Sequence, residues 1–276
     1  MASSAEARLK RLIKGLLCVP AVRKAVERFP RGSKLYSPVQ RTHPIDVAYG
    51  IDTSGVVLAV DIPADKRLVP LINPYIGSQP SILRRALRSL GEVSQSTFVD
   101  LGCGKGRAAI VASEFPFREV IGVELSAALA ATARKNAAVV ARRFPDRPRI
   151  QIVAANLVDY ELPPGNLVLF NYNAVGPALH MLVVEKLKRT LAADTPHIFF
   201  IQYNPVVVEG FDSSSVFRRY YAEQSPYDPS ELGFGPDTDD AVVIWQSVRG
   251  AVPTPHERRD RGIVITKPMM RAELSA

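Results

Sequence analysis

Two cysteines, Cys18 and Cys103, are too few for a disulfide framework or a four-ligand metal cluster. The four histidines, at 43, 180, 197 and 256, lie far apart and form no HExxH or other ligand pair, so no protein-bound catalytic metal is expected. No apolar run reaches the roughly 18 residues that a bilayer crossing needs. The N-terminus lacks the long uncharged core and small-residue cleavage site of a secretory leader, which makes a cytoplasmic protein the expectation. What is left is an ordinary globular composition, 47% hydrophobic and 22% charged over 276 residues. That length suits one large α/β domain or two small ones.

Charge is unevenly spread. Residues 1–42 hold ten Lys/Arg against two Glu, so this arm carries the whole +8 of the chain and the other 234 residues are formally neutral. Leu9, Leu12, Ile13, Leu16 and Leu17 recur in it at helical spacing. A basic amphipathic helix can rest on an anionic surface, a membrane or nucleic acid; a terminal helix with solvated charges explains the same letters.

Beyond the arm, β-rich runs alternate with helical ones. PSILRRALRSLG (80–91) reads as a helix with Pro near its start and Gly after its end. Strands are expected at 96–101, 118–125, 149–155, 166–171 and 197–203, with helices at 105–114, 126–144 and 177–192, the second capped by Ser126. This alternation predicts a mostly parallel sheet covered on both faces. AVVIWQS (241–247) and GIVITKP (262–268) are expected to pair antiparallel at the sheet edge, after a long loop between Gly210 and Asp240 that holds FRRYY. In such sheets ligands bind at the carboxyl ends of the strands.

One of those ends reads FVDLGCGKGR (98–107), an apolar run that closes in an acid and breaks into alternate glycines. A triphosphate P-loop needs GxxxxGK followed by Ser or Thr, and Lys105 has neither that position nor that successor. A dinucleotide turn needs a third glycine for close helix packing, where this chain has Arg107. Asp100 puts a carboxylate where a pyrophosphate would prefer donors, and Glu124, at the end of the next strand, can accept both hydroxyls of a ribose. The pattern of acid, glycine turn, helix, strand and acid describes a nucleoside site with a cationic arm.

FVDLGCGKGR and VIGVELS together resemble the first two motifs of the class I S-adenosylmethionine-dependent methyltransferases. The resemblance implies a doubly wound α/β protein with a seven-stranded, mostly parallel Rossmann-like sheet, here with an N-terminal helical or irregular extension. It implies S-adenosyl-L-methionine as cofactor, with Asp100, Gly102 and Gly104 along its methionyl part and Glu124 on its ribose diol. Asn156 stands where many relatives place an acid against the adenine amino group, with Asp159 as its competitor. RTHPIDVAYGIDTSG (41–55) and NPYIGSQPSILRRAL (73–87) look like a bacterial group of methyltransferase-like proteins of unassigned substrate. The resemblance covers about residues 41–205. The chain is accordingly expected to divide into a basic arm (1–42), a cap or substrate-side segment (43–80) with Tyr75 and Gln79 placed to fold over the cofactor, a cofactor-binding core (81–249), and a C-terminal strand and tail (250–276).

The catalytic candidates follow strands four and five. Asn171 and Asn173 in NYNAVG replace the NPF common in that group, and their carbonyls would hold an amine acceptor; Tyr203 faces the same crevice. An Asn-rich turn is the plain alternative. Direct in-line transfer is the leading expectation, with a nitrogen of a protein or small molecule as the first candidate acceptor and nucleic acid as the second. Two other readings stand beside it: a noncatalytic binding or scaffold protein on the same fold, and a nucleotide-cofactor oxidoreductase.

Overall fold

The computed structural model describes residues 42–62, 71–193, 197–205, 208–234, 238–249 and 251, which all belong to one compact unit. The basic arm expected over 1–42 lies outside them except for Thr42, as does the strand expected at 262–268.

A short helix, α1 (Pro44–Tyr49), opens the described chain, with His43 accepting the Ile45 N–H and Gly50 closing it in the left-handed region. Two short strands, β1 (Val56–Val57) and β2 (Tyr75–Ile76), pair antiparallel. Helix α2 (Pro80–Arg88) has proline in its first turn and lays Ile82, Leu83, Ala86 and Leu87 on the sheet. The alternation then runs β3 (Ser96–Leu101), α3 (Arg107–Ala112), β4 (Glu119–Glu124), α4 (Ala127–Arg143), β5 (Ile150–Ala154), β6 (Asn166–Tyr172), α5 (Pro177–Ala193) and β7 (Ile198–Tyr203). Ser126 caps α4, its hydroxyl accepting the Leu129 N–H. After α6 (Glu209–Asp212), strands β8 (Phe217–Pro226) and β9 (Asp239–Ser247) complete the sheet.

The seven strands lie in the order β5-β4-β3-β6-β7-β9-β8. β3 to β7 are mutually parallel, β9 runs against β7, and β8 runs against β9. The sheet is doubly wound: the chain moves outward from β3 to β5, then returns beside β3 and continues the other way. Each central strand is buried on both faces, as parallel sheets require. One face holds Phe98, Val120, Phe170, Ile201 and Tyr203 under α2 and α3; the other holds Val99, Val123, Leu169, Phe200 and Trp245 under α5 and α6.

One element differs from the sequence expectation. The stretch with FRRYY belongs to no long loop but to the edge strand β8, which pairs antiparallel with β9, so that β9 lies between β7 and β8. A bulge between Arg219 and Tyr221 explains the misreading. The extra residue leaves Tyr220 and Tyr221 both in the same core cluster, which breaks the alternation by which a strand is recognised.

Candidate functional site

Strand order reverses between β3 and β6, and the crevice of a doubly wound sheet lies at that switch point. A cavity opens there, lined by the ends of β3, β4 and β6, the glycine turn and residues 72–78.

The turn hangs on β4. Gly102 and Cys103 both donate their N–H to the Val123 carbonyl at 2.9 Å, and Gly106 donates to Cys103 at 2.8 Å. Gly104 donates to Glu124 Oε2 at 2.8 Å. Four N–H groups that could otherwise cradle a phosphate are thus spent inside the protein. Gly102 and Gly104 both have positive φ, and a Cβ on either would overlap a neighbour, Ala174 and the Tyr75 ring respectively. The backbone is bare here because other chain segments lie directly on it.

Two carboxylates face each other across this turn. Glu124 is buried; its Oε1 accepts the Ser126 N–H at 2.8 Å while Oε2 holds Gly104. Each oxygen keeps a further lone pair, so a diol can still be received. Burial pushes its carboxyl above the usual range, and the N–H donors of Ser126 and Gly104 pull back. Asp100, 3% exposed, has no hydrogen-bond partner on Oδ2. Burial first, and then the charge of Glu124, raises it to about 8. An orphaned carboxylate oxygen suits a cationic ligand group, which would both pair with it and hold it ionised.

Of the other expected cofactor contacts, Asn156 lines the cavity; its Nδ2 donates to Asp159 at 2.9 Å and its Oδ1 accepts the Val158 N–H. Asp159 itself is exposed and not on the cavity wall. Gln79 is also away from that wall: its Oε1 accepts from His43 Nε2 at 3.0 Å. With Nδ1 accepting the Ile45 N–H, His43 carries its proton on Nε2, and burial, helped by the Arg107 charge, holds it down to about 4.

Asn171, Asn173 and Tyr203 do not line the cavity. Side chains alternate along a strand, so Phe170 and Tyr172 face it and Asn171 between them points to the other side of the sheet, where Nδ2 donates to the Leu101 carbonyl at 2.9 Å. Asn173 takes a left-handed conformation just after β6; its carbonyl accepts from Asn73 Nδ2 at 2.7 Å and its own amide is buried without a partner. Tyr203 is on the cavity side but one layer back, its ring 4.3 Å from that of Tyr172 and its oxygen taking the Gln79 N–H at 3.3 Å. The residues that reach the wall instead are Asn73, Tyr75, Arg107 and Tyr172. The alternation in NLVLFNY was a usable signal for Tyr172; nothing local in sequence announces Asn73.

Above the turn, His43, Asp46, Thr53 and Gln79 are buried and form, with their neighbours in 43–54, a polar network. Asp46 accepts the Thr53 N–H at 2.8 Å and the hydroxyls of Thr53 and Ser54. Lys105 Nζ donates to Asp52 Oδ1 and to the Ser54 carbonyl, both at 2.8 Å. Asn136 joins helix and turn, donating to the carbonyls of Asp52 and Lys105 at 2.7 and 2.9 Å and accepting the Asp52 N–H. Cys103, buried among Ala130, Ala133 and Ile152, is a packing residue whose thiol burial pushes up. Among the described residues no His, Cys, Asp and Glu cluster could hold a metal ion, and no helix is long and apolar enough to cross a membrane.

No protein-family model matches the chain, and no curated protein does. Similar solved structures include a candidate RNA methyltransferase of Pyrococcus horikoshii, 14% identical, over 61% of this chain and 83% of that one at a TM-score of 0.46. TrmN of Thermus thermophilus is 13% identical over 61% of this chain, at a TM-score of 0.44, and the chain spans only 49% of it. An RNA methyltransferase of Salinibacter ruber, solved with S-adenosyl-L-homocysteine, is 17% identical over 67% of this chain and 100% of its own, at a TM-score of 0.41. All three scores lie below 0.5, and the fold assignment stands on the strand order and register of the chain itself. By that order, with its single antiparallel strand next to the edge, the chain has the seven-stranded Rossmann-like methyltransferase fold.

Proposed function

We propose that the chain is an S-adenosylmethionine-dependent methyltransferase. The observation that carries this is the pair Asp100 and Glu124 on adjacent strand ends, astride a turn whose Gly104 N–H is already given to Glu124. A pyrophosphate would want that donor and would be repelled by both acids. A ligand with a cationic amino-acid end and a free ribose diol wants the opposite arrangement.

On this reading Asp100 pairs with the ammonium of the cofactor beside Gly102 and Gly104, and Glu124 accepts the ribose hydroxyls. Leu125, Leu129 and Leu157 offer apolar contact for the base, with Asn156 at its polar edge. The bound cofactor supplies a methyl group activated on a sulfonium, for direct in-line transfer to a nucleophile. The protein's part is then mainly alignment, which accounts for a large share of such rate enhancements.

The acceptor comes to the β6 end, beside Asn73, Tyr172, Val175 and Leu179. Arg107 is the one Lys or Arg among the lining residues described, and its guanidinium is engaged by protein groups. A wall with so little free positive charge favours a small molecule or a protein side chain over a phosphate backbone. Asn73, whose Nδ2 is taken by Asn173, presents its carbonyl oxygen as the group that would hold an amine, the acceptor atom we favour. Calorimetric titration of the full chain with S-adenosylmethionine and, separately, NAD tests the reading. Saturable binding of the first alone supports it; binding of NAD alone defeats it.

A further inference from the structure

At the position of the third glycine of a dinucleotide turn, the chain has an arginine whose side chain is buried at 4% exposure. Among the described residues the Arg107 guanidinium makes no direct ion pair. Nε donates to Thr53 Oγ1 and Nη2 to the Thr53 carbonyl, both at 2.8 Å, and Nη1 donates to the Ser78 carbonyl at 3.3 Å. Its counter-charge stands one group further back, where the Thr53 hydroxyl bonds Asp46.

Two observations link this cluster to the cleft. The Thr53 carbonyl that receives Arg107 also receives the Tyr75 hydroxyl at 2.7 Å, and the Tyr75 ring occupies the space above Gly104. Gly77 passes so close to the guanidinium that a Cβ there would overlap it. Desolvating a guanidinium is costly unless its donors are satisfied. Here the charge is spent on two separate backbone segments: that of Ser78, which lines the cavity, and that of Thr53, whose carbonyl also receives the hydroxyl of the cavity residue Tyr75.

We propose that Arg107 is a positioning residue of the cofactor site: through Thr53 and Ser78 it holds segment 73–78 against the glycine turn, so that Tyr75 closes one wall of the cleft. The inference rests on the methyltransferase reading only for the identity of the ligand. The planar fork of arginine spans both carbonyls; lysine, a single point donor, cannot replace it. Because coupling is reciprocal, a cofactor that touches the turn must in return tighten the segment.

Hydrogen exchange of the full chain, with and without S-adenosylmethionine, tests this in the wild type, Arg107→Met, Arg107→Lys and Gly77→Ala. In the wild type the cofactor is expected to raise protection of 73–78. Arg107→Met should abolish that rise and weaken cofactor binding at least tenfold, with 96–101 still protected, and Arg107→Lys should not restore either property. If Arg107→Met also loses protection at 96–101, Gly77→Ala decides, since it displaces the guanidinium without removing it. Wild-type affinity and wild-type protection of 73–78 in these variants would overturn the proposal, as would lost protection with unchanged affinity. A wild type that binds no S-adenosylmethionine defeats the functional reading instead. Protection of 73–78 in the ligand-free Arg107→Met chain then still shows whether Arg107 holds the segment.

Discussion

Glu124 and Gly104 lie 20 positions apart and meet through a 2.8 Å hydrogen bond from the glycine N–H to the carboxylate. The acid at the end of β4 therefore shapes the turn after β3 as well as facing the cleft. Glu124→Gln keeps the size but turns one of two acceptors into a donor, opposite either Gly104 or Ser126. We expect cofactor affinity to fall by about tenfold or more and stability by about 1–3 kcal/mol, since a buried N–H loses its partner. Calorimetry and urea unfolding on the same sample measure the two effects.

Asp100 predicts a pH dependence. Its carboxyl, raised to about 8 by burial and by Glu124, titrates near 4 in the unfolded chain. The folded state therefore holds an extra proton between these values, and the group's contribution to stability, complete below about pH 4, is lost as pH rises towards 8. The unfolding free energy of wild type minus that of Asp100→Asn should fall as pH rises across that window. A cationic ligand needs the ionised form, so cofactor binding near pH 7 should release a proton, seen as heats that vary with the ionisation enthalpy of the buffer. Asp100→Asn should remove that variation.

His43 carries the opposite sign. Burial and Arg107 hold it down to about 4, against about 6.5 when unfolded, while Asp46 and the Gln79 hydrogen bond act the other way. The unfolded chain then binds more protons between these values, so this contribution is present above about pH 6.5 and lost as pH falls towards 4. Amide protection over 43–54 should fall in that interval more steeply than protection over 96–101, and His43→Gln should flatten the difference.

The glycines of the turn should rank by what lies on them. Gly102→Ala and Gly104→Ala each combine positive φ with overlap, against Ala174 and Tyr75, and should cost about 2–4 kcal/mol. Gly106→Ala meets Ala133 Cβ at 3.3 Å and should cost less, about 1–2 kcal/mol from backbone strain alone. Thermal unfolding of the three variants gives the order.

Strands β3 to β7 and their helices were legible in the sequence to within two residues at each end, because a parallel sheet buried on both faces leaves continuous apolar runs between helices. The motif acids were legible for the same reason: they stand at the ends of those runs. β8 was hidden by its bulge. Asn171 was read as facing the cleft although the alternation through Phe170 and Tyr172 turns it away. The network of His43, Asp46, Thr53, Gln79 and Arg107 was out of reach, since its hydrogen bonds span up to 54 positions and leave no local periodicity.

The most direct test is a crystal structure of the chain with S-adenosylhomocysteine. The account predicts the ribose hydroxyls on Glu124, the amino group on Asp100, and Tyr75 packed over Gly104 beside the ligand. A ligand bound elsewhere, or lying in the cleft with its ribose away from Glu124, would contradict it.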